Sequence, residues 1–352
     1  MRDVAVVAFA QSKAVRAEED ANEVEILMPV VAAAIEESGI PRKEIGFTVS
    51  GSCDYLAGVP FAFVQGLDAV GAWPPIRESH VEMDGAWALY EAWVRLQHGD
   101  VDSALVYAFG KSSLGDLPQV LTLQLDPYCV APLWPDSISI AALQARAWLD
   151  AGHGEREMAE VAARSRRAAL ANPMAQVAED RAAEELLRAP YVVSPLRRHD
   201  CPPISDGAVA VVLAADGLAG EVCERPAWIR GLDHRIEPHG LGVRDLTTSA
   251  STRLAGERAG VGRAPVDVAE LHAPFSFQEV ILRDALGLGP GVEVNPSGGA
   301  LSANVMMGAG LVRIGEAARR VSAGAAGRAV AHATSGPCLQ QNLVCVLESA
   351  HP

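Results

Sequence analysis

The chain has 352 residues, 49% of them hydrophobic, with 44 acidic against 29 basic residues and a formal charge of -15. That length buries a large core as two domains or one duplicated domain, and the acidic balance argues against nucleic acid, whose binding needs a dense basic surface. No apolar run reaches the ~18 residues of a membrane span, and the short apolar run after Met1-Arg2-Asp3 is no signal h-region, so a cytoplasmic protein with no membrane partner is expected.

Residues 4–9 (VAVVAF) read as a buried strand, and residues 25–39 (EILMPVVAAAIEESG) have helical apolar spacing ending on a glycine stop. Residues 44–51 read as a second strand. Residues 84–98 (DGAWALYEAWVRLQH) are apolar nearly all round, which predicts a buried helix. A strand over 103–109 (SALVYAF) follows. From Lys111 to about Asp200 the alternation breaks, with the Pro-rich stretch DPYCVAPLWPD and helices expected near 137–151, 155–171 and 180–188. This segment is expected to lie over one face as an insertion. Strand character returns at 207–214 (GAVAVVLA), and the alternation restarts near Thr252.

Residues 32–51 (AAAIEESGIPRKEIGFTVSG) are echoed by residues 253–274 (RLAGERAGVGRAPVDVAELHAP): a helix, a Gly-bounded turn, a short strand and a loop. In each half a buried helix follows, from Asp84 and from about Ala309, and then a strand, SALVYAF or AVAHATS. Two βα-rich halves of like order predict a duplicated α/β fold. The six cysteines (Cys53, Cys129, Cys201, Cys223, Cys338, Cys345) show no CxxC pair and no His at ligand spacing. Neither disulfides nor a metal are expected.

Four segments carry a resemblance: Ser194-Pro195-Leu196 through Cys201 to Ser205-Asp206-Gly207-Ala208, Glu270-Leu271-His272-Ala273-Pro274-Phe275, Asn295-Pro296-Ser297-Gly298-Gly299, and the helix-like stretch 154–172. In their order along the chain they resemble the thiolase superfamily, in particular the sterol-carrier-protein-X thiolases and the bacterial "lipid-transfer" proteins that act as steroid side-chain aldolases. The resemblance implies a thiolase-like duplicated fold: two mixed five-stranded sheets sandwiching helices in five layers. Residues 1–110 with 201–230 would form the first half, 111–200 a helical insertion over the site, and 231–352 the second half.

Thiolases place a nucleophilic Cys at the N-terminus of a buried helix, where aligned peptide dipoles lower the thiol pKa. Here the family's CATG-x-x-AL is matched by residues 82–89, which puts Glu82 in the nucleophile's place. Its GHP-x-G is matched by residues 304–308, replacing the activating His with Val305, and the second Cys falls on Gly336. That alignment excludes Claisen chemistry by the thiolase route. His272 stands where the family has an oxyanion-hole donor, and Cys338 lies two residues past the old cysteine position. His272, Glu82 and Cys338 are therefore the catalytic candidates, with Asp84 read as a helix cap. Ser297, Gly298, Gly299, Ser205 and the pair Arg197-Arg198 are the candidates for holding substrate or coenzyme A.

The surviving groups match an acyl-CoA lyase cleaving a 3-hydroxyacyl-CoA, whose retro-aldol step needs a base and an enolate donor but no acyl-enzyme. The resemblance implies a steroid or bile-acid side chain as substrate, no cofactor beyond the coenzyme A of that substrate, and a small OB-fold partner. A homodimer or heterotetramer is expected, with the strand over 103–109 at the interface. Two other readings stay open: a non-catalytic thiolase-like subunit, and an acyltransferase using Cys338.

Overall fold

A computed structural model describes residues 2–350. The chain runs β1 (Val4–Gln11), α1 (Glu23–Ser38), β2 (Phe47–Gly51), α2 (Asp54–Ala57), α3 (Phe63–Val70), β3 (Glu78–Val81), α4 (Gly85–His98) and β4 (Ser103–Gly110). The next stretch holds α5 (Leu117–Leu123), α6 (Ser137–Asp150), α7 (Glu155–Ala168), α8 (Ala183–Leu186) and the small hairpin of β5 (Tyr191–Val193) with β6 (Leu196–Arg197). Then follow β7 (Gly207–Ala215), α9 (Leu218–Val222), β8 (Ala227–Ile236), α10 (Ala250–Ala259), β9 (Val268–Leu271) and α11 (Ser276–Leu286). The chain closes with β10 (Glu293–Val294), α12 (Ala309–Ser322), β11 (Arg328–Ser335) and β12 (Gln341–Glu348).

The strand order β10-β9-β11-β12-β8-β1-β7-β4-β2-β3 is two copies of one pattern placed back to back. Reading outward from the centre, β1-β7-β4-β2-β3 corresponds to β8-β12-β11-β9-β10. Each half is the expected mixed five-stranded sheet, but β1 and β8 pair at Ala5–Trp228 and Val6–Ala227, so the sheets run into one another rather than standing apart.

A pair of bulges shows how deep the duplication goes. In β1, Val6 pairs with Leu213 and Ala8 with Val212, leaving Val7 extra. In β8, Ile229 pairs with Leu347 and Gly231 with Val346, leaving Arg230 extra. Both bulges sit at the fourth residue of their strand, and an extra residue reverses which face the following side chains take. Accordingly Val4, Val6 and then Phe9 face the central core, as do Ala227, Ile229 and then Leu232.

The layering follows from these faces. α4 and α12 lie between the sheet halves, contributing Trp87, Leu89, Leu311 and Ile314 to a core shared with inner-face residues such as Val106, Val211 and Leu343. α1 covers the outer face of the first half through Leu27 and Val31, and α10 and α11 cover the outer face of the second through Ala255, Phe277 and Ile281. Glycines let the two central helices approach at their starts: a Cβ on Gly85 would lie 2.8 Å from both Ala108 and Leu311. The edge strand of the first half is β3; β4 lies inside, paired to β2 and β7 on its two sides. This corrects the expected interface strand, because β4 has no free backbone edge to offer a partner. No helix among the described residues is long and apolar enough to cross a membrane.

Candidate active site

The ends of β9 and β11, the starts of α4 and α12, and α5 and α6 enclose a cavity of about 290 Å³. Its walls are mainly apolar: Leu117, Leu121 and Leu125 from α5 and its exit, Ile138 and Ile140 from α6, Phe275, Met306 and Met307. His272, Asn304, Asp84, Thr334, Gly336 and Cys338 supply its polar and reactive atoms.

His272 directly follows β9, where its backbone N–H donates to the carbonyl of His332 on the neighbouring strand at 3.1 Å. The amide of Thr334 donates to Nδ1 at 3.3 Å, so the ring proton sits on Nε2, which donates to Asn304 Oδ1 at 3.1 Å. Burial pushes the imidazole pKa down to about 4, because the charged form would lose its hydration. His272 is thus a neutral donor at neutral pH, paired with Asn304 in the wall of an apolar cavity where such donors act most strongly. Asn304 is carried on the loop before α12, and its Nδ2 lies 3.9 Å from the sulfur of Met306.

Asp84 caps two helices at once. Its Oδ1 accepts from the amides of Ala86 at 2.9 Å and Leu311 at 3.1 Å, and its Oδ2 from Gly310 at 2.9 Å. The N-termini of α4 and α12 therefore converge on one buried carboxylate. Burial raises its pKa to about 6, against the lowering effect of those amides and of Arg313. Cys338 sits in the loop between β11 and β12 with φ of 55°, its Sγ 3.7 Å from the carbonyl of Ile140. Arg244 donates to the carbonyls of Pro337 at 2.7 Å and Cys338 at 2.8 Å, fixing this part of the wall. Burial pushes the Cys338 thiol up to about 12, and the same holds for Cys201 across the cavity. Neither is a thiolate at neutral pH.

Of the residues the sequence singled out, the fold brings His272 and Cys338 together in this cavity, beside Val305 and Gly336. Glu82 is exposed outside it, and its Oε1 accepts the amide of Asp54 at the start of α2, at 2.6 Å. Ser297, Gly298 and Gly299 lie behind the wall rather than in it. The Ser297 hydroxyl donates to Glu270 at 2.7 Å, and Arg313 bridges Glu270 at 2.8 Å and Ser297 at 2.6 Å, which locks the loop to β9 and α12. Ser205 supports the site from outside, accepting the amide of Asn304 at 3.0 Å. Arg197 is buried against Glu155 at 2.7 Å, with its guanidinium 4.4 Å over the Tyr191 ring, while Arg198 is exposed. The sequence reading missed Asn304 and the place of Asp84 in the cavity. The second of these had a signal, since an acid capping an all-round apolar helix must itself be buried. All six cysteines are free, and the described residues hold no cluster of three or more His, Cys, Asp or Glu fit for a metal ion.

The fold is thiolase-like, and the sequence is similar to a thiolase subunit and to acetyl-CoA acetyltransferases. No family model matches it. It is 27% identical to the benzoylsuccinyl-CoA thiolase subunit BbsB of Thauera aromatica over 57% of this chain and 60% of that one. It is 26% identical to the acetyl-CoA acetyltransferase of Methanothermobacter thermautotrophicus over 88% of each. It is 25% identical to sterol carrier protein 2 of Gallus gallus, over 85% of this chain but 63% of that longer one. Among solved structures, one described as an Ltp2-ChsH2(DUF35) aldolase superimposes with a TM-score of 0.82 at 18% identity, covering 99% of this chain and 98% of that one. Human mitochondrial 3-ketoacyl-CoA thiolase superimposes with a TM-score of 0.78 at 15% identity, covering 99% of both.

Proposed function

We propose that the chain is a carbon–carbon lyase that cleaves a 3-hydroxyacyl-CoA by retro-aldol chemistry into a short acyl-CoA and a ketone or aldehyde. The observation that carries this reading is a neutral His272 donor in an apolar cavity whose thiols are both held protonated. Retro-aldol cleavage leaves negative charge on the thioester oxygen, which a preorganised donor stabilises. Thiolysis needs a thiolate nucleophile; in the resemblance we rely on, Glu82 and Val305 take the places of the Cys and His that thiolases use. The apolar wall from α5 and α6 favours a bulky hydrophobic acyl part, and a steroid or bile-acid side chain is the substrate class we assign. The neighbour described as an Ltp2-ChsH2(DUF35) aldolase supports the lyase chemistry and a partner chain beside it; a small OB-fold protein is the partner we assign. In this reading the working assembly is a homodimer or a heterotetramer with that partner, and coenzyme A enters only as part of the substrate.

The test is incubation with a panel of 3-hydroxyacyl-CoAs, with and without the partner, and detection of acetyl-CoA or propionyl-CoA by mass. Cleavage without thiolysis of 3-ketoacyl-CoA is expected. His272→Ala should slow turnover by about 10²–10³ with little change in melting temperature, the usual consequence of losing one oxyanion donor. Wild-type turnover that survives His272→Ala unchanged would remove the donor role, and no cleavage of any member of the panel would favour a non-catalytic subunit.

A further inference from the structure

Retro-aldol cleavage also needs a base for the 3-hydroxyl proton, and the cavity narrows the choice. Among the described residues its wall carries four ionisable side chains: Asp84, Cys201, His272 and Cys338. The two thiols are pushed up to about 12 and stay protonated. His272 has its free nitrogen filled by the Thr334 amide and its proton on the other, so the ring that donates cannot also accept. Asp84 is left. Its Oδ1 already takes two amides, but Oδ2 takes only that of Gly310, and a carboxylate oxygen has two acceptor sites. One lone pair on Oδ2 is free in a group that lines the cavity.

Resting on the lyase reading above, we infer that Asp84 is the general base, taking the substrate's 3-hydroxyl proton on Oδ2. As that proton moves to Asp84, the O–H electron pair becomes the π bond of the new carbonyl and the Cα–Cβ bond breaks. The bonding pair passes into the thioester enolate, whose oxygen displaces Asn304 Oδ1 from the Nε2–H of His272. Asp84 then returns the proton to Cα. The acyl-CoA leaves, the carboxylate is restored, and neither water nor any oxidant is consumed. The converging N-termini of α4 and α12 keep Asp84 fixed, while burial raises its pKa to about 6, against Arg313 on α12. A base tuned close to the working pH is the efficient one. His272 and Cys338 share the cavity with it but neither carries charge near that pH.

A purely structural double cap would explain the same hydrogen bonds, so the test must read more than stability. Asp84→Asn keeps an amide oxygen for Ala86 and Leu311 and removes the base. Its kcat should drop by about 10²–10⁴, while calorimetric binding of a 3-hydroxyacyl-CoA stays within about tenfold. Wild-type kcat should fall on acidification through about pH 6, and Asp84→Glu should recover part of the rate and keep an acid limb. If Asp84→Asn does not fold, the wild-type limb and Asp84→Glu carry the test. A wild-type kcat flat from pH 5 to 7, or Asp84→Asn cleaving at the wild-type rate, overturns the assignment and leaves the lyase reading standing. A wild type that cleaves no 3-hydroxyacyl-CoA, with or without the partner, overturns both.

Discussion

Two buried histidines and one buried carboxylate give the protein an acid sensitivity that can be worked out from their positions. His332 on β11 is fully buried, with Nε2 3.0 Å from Asn342 Oδ1, and burial pushes its pKa from 6.5 down to about 3; His272 is pushed down to about 4. Folding favours the neutral ring in both cases, so the unfolded chain binds more protons between the folded values and 6.5. Their stabilisation is complete above pH 6.5 and is lost as the pH falls. At pH 5 each histidine has lost about 2 kcal/mol, at about 1.36 kcal/mol per pH unit. Asp84 works the other way. Its pKa rises from 3.8 to about 6, so protonation below pH 6 favours the folded state and returns about 1.4 kcal/mol by pH 5. The three together should lower stability by about 3 kcal/mol between pH 7.5 and pH 5. Urea unfolding at fixed pH steps reads the total, but surface carboxylates add to it, so the decisive measurement is a difference. His332→Gln retains a partner for Asn342 and cannot titrate. Its fall in stability over the same range should be about 2 kcal/mol smaller than that of the wild type. Parallel acid limbs in the two proteins would refute the claim that His332 is buried neutral.

Iodoacetamide at pH 7.5 should label the exposed Cys129 and leave Cys338 unmodified in the native protein, as mapped by peptide mass, because the Cys338 thiol is held protonated; a fast adduct on Cys338 would bring the acyltransferase reading forward. Arg313→Met leaves Glu270 buried beside Ser297 without its cation and should cost about 3–5 kcal/mol in urea unfolding, with the double replacement of Glu270 and Arg313 by apolar residues costing less than the single change.

Most of the architecture was legible because local signals and the global fold agree. The glycine stop expected at Gly39 is a left-handed C-cap with φ of 65°, and the helix expected from Asp84 starts one residue later with Asp84 as its N-cap. The echo between residues 32–51 and 253–274 is the pair α1–β2 and α10–β9, which occupy matching places in the two halves. β8 escaped notice because its sequence, AWIRGLDHRI, changes face at the bulge and so loses the period-two pattern a strand is known by. The site was harder to read, since its chemistry comes from residues distant in sequence. Cys338 and His272 could be placed near one another from the loops that carry them. The roles of the others depend on contacts that no local pattern records. Glu82 occupies the old nucleophile position in the alignment, yet its carboxylate turns outward to cap α2. The carboxylate two residues on reaches the cavity because α12, from the other half of the duplication, brings the amides of Gly310 and Leu311 to it across more than 220 residues of chain. A cap is a local feature; a carboxylate held by two converging helices at a cavity wall is a product of the duplication itself. If Asp84 is the base, the acid–base chemistry of this site is built on the pseudo-symmetric helix pair. The pH limb of Asp84→Glu against that of the wild type separates such a base from a merely structural cap.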